Sequence, residues 1–262
     1  DALTTGTNNV AMGYGALGSE DTGGQNVAIG VNALNTANYD GNGLNVAVGY
    51  GAGASITTAT NNTLIGGIAG DALTTGIQNV AIGYQALSAE DTGQGAVAVG
   101  YQALASQNAD GAYHNVAVGF QAGTNVSTGG QNTLIGDSAG YNLTTGGNNI
   151  AIGYKALYTE DAHGNNVAIG REALEVQNAG ADAHNVAIGY RAGHAVTTGT
   201  NNVIIGGNAG DALTTGGRNV AIGHAALSAE DETGYAVAIG YQALRLQDSG
   251  SNTYNVAVGY NA

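Results

Sequence analysis

A four-residue unit, Val-Ala-Ile-Gly with close variants, starts at Val10, Val27, Val46, Thr63, Val80, Val97, Val116, Thr133, Ile150, Val167, Val186, Val203, Val220, Val237 and Val256. The spacings are 17, 19, 17 and 17 in turn and then repeat, so a 70-residue super-repeat overlies the short one. A short fixed period of this kind specifies a stack of like units, each touching only its neighbours, rather than a globule around one centre. The expected architecture is all-β: one continuous parallel β-solenoid over residues 1–262, with super-repeats 1–70, 71–140, 141–210 and a shorter 211–262. The fourth copy stops before its last coil, so the chain reads as a window on a longer array or as a processed piece.

Within one coil the residue types assign places. In Asn79-Val80-Ala81-Ile82-Gly83-Tyr84-Gln85-Ala86-Leu87 the β-branched Val80 and Ile82 point to one side of a strand and Ala81 to the other. Gly83 and its counterparts close every unit, which suits a corner with positive φ or a close approach of backbones. Ala86, three residues on, is Ala in all fifteen coils and is expected on a second short strand facing an interior too narrow for more than a methyl group. The next residue runs Leu17, Leu34, Gly53, Gly70 and then Leu87, Leu104, Gly123, Gly140, predicting two wider and two tighter coils per super-repeat. Asn precedes the unit in thirteen coils, the exceptions being Ala96 and Ala236, and stacked Asn side chains form hydrogen-bonded ladders. The remainder is polar turn, and no segment carries a useful helical period.

Both parities of the strand are apolar. One fills the coil interior; the other leaves a stripe along the stack, and long apolar stripes are rarely left in water. The expectation is therefore a homo-oligomer about a common axis, each rod about 70 Å long at roughly 4.8 Å per coil.

Composition narrows the function classes. The formal net charge is −14, and the only Lys and Arg are Lys155, Arg171, Arg191, Arg218 and Arg245, so nucleic acid and anionic membranes are not expected partners. There are 46 Gly and no Pro, Cys or Trp, and Phe120 is the single Phe. Disulfides and thiolate metal sites are thereby excluded, and collagen and Pro-rich linkers do not fit. No apolar run is long enough to span a bilayer as a helix.

The string Asn26-Val27-Ala28-Ile29-Gly30 followed by Ala33 resembles the head repeats of trimeric autotransporter adhesins, and Asn79 to Leu87 resembles the N-[TV]-A-I-G-Y-x-A-L arrays of phage tail fibres. The resemblance covers essentially the whole chain. It implies a left-handed parallel β-roll, three chains intertwined or side by side, an extracellular, cell-surface or virion location, and a role as the shaft that presents receptor-binding regions. Host or cell-surface glycans are the external partner it suggests, which gives the alternative of a carbohydrate-binding or glycan-coated fibril with repeated weak sites.

Candidate chemistry is sparse. The pairs Glu20/Asp21, Glu90/Asp91, Glu160/Asp161 and Glu230/Asp231 share one phase of the super-repeat and are the only candidates for calcium, set against a solvated acidic rim. Asp21-Thr22-Gly23 and Asp91-Thr92-Gly93 spell an aspartic-protease triplet but sit in polar turns, without the strand context that chemistry needs. Gly13 to Gly18 spells G-x-G-x-x-G but runs into a turn, not a helix. The histidines, His114, His163, His184, His194 and His224, lack zinc-ligand spacing. Tyr14, Tyr84, Tyr101, Tyr154 and Tyr241 follow the Gly corner and are candidates for an aromatic ladder or a sugar platform. The longer coils, around Tyr39-Asp40 and Asp110 to Tyr113, are expected to project furthest. With no nucleophile–base constellation, an enzyme is not expected, nor a cofactor.

Overall fold

The computed structural model describes residues 3–232 and 234–262. It is a parallel β-solenoid with fifteen three-residue strands and no helix among the described residues. Two compact units divide the chain, Asp1–Gln131 and Asn132–Ala262. The first holds β1 (Val10–Met12), β2 (Val27–Ile29), β3 (Val46–Val48), β4 (Thr63–Ile65), β5 (Val80–Ile82), β6 (Val97–Val99) and β7 (Val116–Val118). The second holds β8 (Thr133–Ile135), β9 (Ile150–Ile152), β10 (Val167–Ile169), β11 (Val186–Ile188), β12 (Val203–Ile205), β13 (Val220–Ile222), β14 (Val237–Ile239) and β15 (Val256–Val258). Within each unit consecutive strands pair in parallel with like residues opposite one another, as in Val80↔Val97 and Ala81↔Ala98.

The central residue of each strand turns inward. Ala28, Ala47, Leu64, Ala81 and Ala98 are fully buried, and the flanking Val and Ile face outward. The inner parity therefore belongs to the small residue. All fifteen corner glycines have φ between 129° and 144°. Both reasons for glycine hold together at Gly83: φ is 136°, and a Cβ there would overlap the Gly100 carbonyl oxygen of the next coil.

The turn after the corner is not a second strand. Ala86 is buried, as its size requires, but its neighbours Gln85 and Leu87 have φ of 55° and 53°. Left-handed residues on both sides are incompatible with an extended strand. The backbone ladder continues nonetheless, Leu87 N–H donating to the Ala103 carbonyl and Gln102 N–H to the Tyr84 carbonyl. A third left-handed position falls one residue before the ladder Asn, at Gln78 for instance, so the corner lies beside the Asn and not on it. In the Leu-Thr-Thr-Gly turn the successive N–H groups of Thr74, Thr75 and Gly76 all converge on the Asp91 carbonyl.

The alternation of Leu and Gly is a volume exchange. Leu17, Leu34, Leu87 and Leu104 fill the interior where the strand centre is Ala. At Gly53 and Gly70 a Cβ would lie 2.7 Å and 2.8 Å from methyl carbons of Leu64, the one enlarged strand centre of that super-repeat. Ile56 and Leu73 occupy the remainder, and Leu134 with Gly140 and Ile204 with Gly193 repeat the exchange in the second unit. The interior is thus filled from one position or another, as close packing demands.

The Asn ladder runs unbroken from Asn9 to Ala96 in the first unit and from Asn132 to Ala236 in the second. Asn62, Asn79 and Ala96 donate their backbone N–H to the side-chain oxygens of Asn45, Asn62 and Asn79 at 2.9, 2.8 and 2.9 Å. The amide nitrogens donate across the coil, Asn79 to the Gly93 carbonyl and Asn149 to the His163 carbonyl. Both functions of each buried amide are used, which removes the desolvation cost of burying it. The exceptions have a steric partner. A Cβ at Gly43 would overlap Asn26 Oδ1, and the coils with Tyr113 or Thr253 at that place carry Ala96 and Ala236 instead of Asn. Ala183 stands opposite a retained Asn166, so the Cβ alone does not exclude Asn and the exceptions go with the atoms beyond it in Tyr113 and Thr253.

Candidate functional site

The outward Val/Ile parity forms one apolar stripe on each unit. It is partly exposed along its length, from Val27, Ile29 and Val46 through Ile65 in the first unit, and over Ile135, Ile150, Ile188 and Ile239 in the second. No charged residue occupies either outward position of any strand. The corner glycine then places an aromatic side chain at the border of the stripe. Tyr84, Tyr101 and Phe120 stack with ring centroids 5.6 and 5.1 Å apart, and His224, Tyr241 and Tyr260 do so at 5.5 and 5.0 Å. These rings use their faces on one another and present edges to solvent. Tyr154 and Tyr190 instead flank Arg171, whose guanidinium lies 5.5 and 5.9 Å from their centroids, and Val31 takes the corresponding place between Tyr14 and Tyr50. Beside the rings, Gln121 donates to Gln102 and Gln102 to Gln85, a short amide ladder of the same pitch.

The carboxylate pairs divide between inside and surface. Glu20, Glu90, Glu160 and Glu230 are fully buried, while Asp21, Asp91 and Asp161 are half-buried, so the glutamates do not form a solvated rim. Glu90 Oε1 accepts the Gly93 N–H at 2.7 Å and Oε2 accepts the Gln107 amide at 2.9 Å. Gln107 in turn accepts from Asn115 at 2.9 Å, tying the carboxylate to the Asn ladder. Residues 1–131 contain no Lys or Arg, so in the first unit these buried carboxyl groups are met by N–H donors and by no cationic side chain of Lys or Arg. Sequence patterning missed this because the Gln107 partner of Glu90 lies a full coil away along the chain.

Tyr39 is the other inward departure. Its ring is buried, not projecting from the long coil; the exposed residues there are Asp40, Gly41 and Asn42. The hydroxyl accepts from Asn45 at 2.7 Å, and the N–H donates to Glu20 Oε1 at 3.3 Å. Burial first, and then the Glu20 charge, push its phenol above the usual tyrosine range.

Two of the three histidines of the third super-repeat meet carboxylates, while His184 Nδ1 faces the Asp182 carbonyl oxygen. His194 Nε2 lies 3.0 Å from Glu175, while its Nδ1 faces Arg191 at 3.2 Å; Lys155 and Arg191 also approach Glu175 and Glu172. His163 Nδ1 lies 3.2 Å from the buried Glu160. No helix among the described residues is long and apolar enough to cross a membrane.

Coil, ladder and stripe together define a β-solenoid repeat protein. Comparison with protein-family models, with curated proteins and with solved structures finds no match.

Proposed function

We propose that the chain is the structural shaft of an extracellular or virion fibre of tail-fibre or adhesin type, built from three copies that bury the Val/Ile stripe against one another. The observation that carries this is the uncharged outer parity of every strand, β-branched at every place but Met12 and bordered in most coils by aromatic rings. An apolar band of that regularity has little use in water, whereas packed against an identical band it supplies the hydrophobic driving force of assembly. The acidic exterior keeps such assemblies apart from one another and from polyanions. The role is mechanical: backbone ladders within each unit and a filled interior make a stiff spacer. In the Tyr84–Phe120 and His224–Tyr260 stacks the ring faces engage one another and leave edges for a sugar, which favours the shaft over the glycan-binding alternative.

Light scattering on the purified chain tests assembly directly. A molar mass three times that of one chain is expected; a monodisperse single chain overturns the proposal. A glycan array on the assembled protein addresses the alternative, with no specific sugar binding expected.

A further inference from the structure

The geometry points to a divalent-metal site of zinc type at Glu160, Asp161 and His163, built on one coil of the second unit. The starting observation is an exchange at one position. Gly23 and Gly93 stand three residues after the buried Glu20 and Glu90 and donate their N–H to the carboxylate at 2.6 and 2.7 Å. His163 holds the same place after Glu160. Its N–H bond to Oε1 lengthens to 3.2 Å, and its ring Nδ1 faces the same oxygen at 3.2 Å. Side-chain oxygens of Glu160 and Asp161 and a ring nitrogen of His163 all lie within 4.8 Å of one another.

The separations suit a metal. Zinc–nitrogen and zinc–oxygen bonds are about 2.0–2.2 Å, which places two ligand atoms roughly 3.0–3.4 Å apart at octahedral to tetrahedral angles. The Nδ1 to Oε1 distance of 3.2 Å falls inside that interval. The carboxylate is also oriented from behind. Glu160 Oε2 accepts the Gln177 amide at 3.1 Å, and Gln177 accepts from Asn185 at 2.8 Å, an outer shell of the kind that fixes ligands at metal centres. The imidazole is part-exposed and gives a path from solvent. A cation here would compensate a fully buried carboxylate that otherwise has only dipoles and one imidazole beside it. One imidazole with two carboxylates favours zinc or cobalt over calcium, which takes oxygen ligands throughout.

Two other clusters lack these properties. At Glu172, Glu175 and His194 the guanidinium of Arg191 and the Lys155 ammonium already compensate the carboxylates. Glu230, Asp231 and Asp248 include no imidazole.

The test is a cobalt(II) titration of tag-free protein, followed by visible absorption, with zinc competition and thermal melting in parallel. One site per chain is expected, with zinc displacing cobalt and raising the melting temperature. His163→Gly restores the residue of the two preceding super-repeats and is expected to weaken cobalt binding at least a hundredfold while keeping the circular dichroism of the parent. Gln177→Ala, which releases the carboxylate from behind, is expected to weaken it about 10–100-fold. Absence of a cobalt spectrum at millimolar metal, or equal binding by the parent and His163→Gly, overturns the site.

Discussion

Tyr39 and Gln107 reach equivalent Asn-ladder amides from different places in the super-repeat. The Tyr39 hydroxyl accepts from Asn45 and the Gln107 carbonyl oxygen from Asn115, one super-repeat apart. The residues exchange in pairs, Ala37 with Tyr39 in the first super-repeat and Gln107 with Ala109 in the second. The exchange is not equivalent for the carboxylate. Gln107 also donates to Glu90 Oε2, whereas Glu20 Oε2 is buried without a hydrogen-bond partner. Tyr39→Ala should therefore destabilise the first unit by about 3–5 kcal/mol through loss of a buried ring. Adding Ala37→Gln should restore that loss by supplying both bonds. Chemical denaturation of the single and double variants measures the two steps; a double variant no better than the single one contradicts the pairing.

Gly83→Ala drives a Cβ into a backbone oxygen at a φ that L-residues rarely adopt. The neighbouring backbone cannot yield without breaking its own ladder. A loss of several kcal/mol is expected, since left-handed strain alone costs of order 1–3 kcal/mol. Unchanged thermal melting would place this corner in open space.

Leu64→Ala removes the enlarged strand centre and should cost about 2–5 kcal/mol. Gly70→Leu alone should also destabilise, because its side chain meets Leu64. Combined, the two substitutions move the bulk from the strand centre to the turn, as in the neighbouring coils, with only the Leu73 contact left over, and the summed loss should be smaller than the parts. Additive losses in a double-mutant cycle would refute the volume exchange.

Asp71 has a buried Oδ1 without a partner, and burial raises its carboxyl above the ordinary value of 3.8, against an opposing backbone hydrogen bond. A raised acid binds its proton more tightly folded than unfolded. Its favourable contribution is thus complete below pH 3.8 and is lost as pH rises through the folded value. Asp71→Asn should melt higher than the parent at pH 7, and the difference should vanish at pH 3. Asp211, raised by burial despite Arg191 and two histidines nearby, should behave alike.

Ile82→Lys puts a charge on the outward stripe without touching the interior. Assembly should fall to single chains by light scattering while far-ultraviolet circular dichroism is retained. Persistence of the oligomer would move the interface elsewhere.

Much of this was legible from single residues. The strand at Val80–Ile82, the glycine corner at Gly83, the methyl-sized interior at Ala86 and the Asn ladder each follow from a residue type that has few alternatives at its place. The failures share a cause. Gln85 and Leu87 adopt left-handed backbone that neither residue prefers alone, because inter-coil hydrogen bonds hold them there. Which strand parity faces inward was undetermined, since Val, Ile and Ala are all apolar. Glu90 is polar by type, and its burial depends on Gln107 and Asn115 in the following coil. The contact of His163 with Glu160 lay in plain view at three residues' distance, but only the inward turn of the glutamate makes it a candidate ligand.

The Leu/Gly volume exchange has a genetic corollary. Because Leu64 requires Gly70 in its own coil and Gly53 in the coil before it, the four rungs of a super-repeat are not interchangeable. A recombination slip that excised a single rung would bring two large side chains, or two empty places, to one level. A slip of one whole super-repeat would leave every neighbour as before. A change in rung number that respects this packing therefore comes in steps of four, about 19 Å of ladder at roughly 4.8 Å per rung.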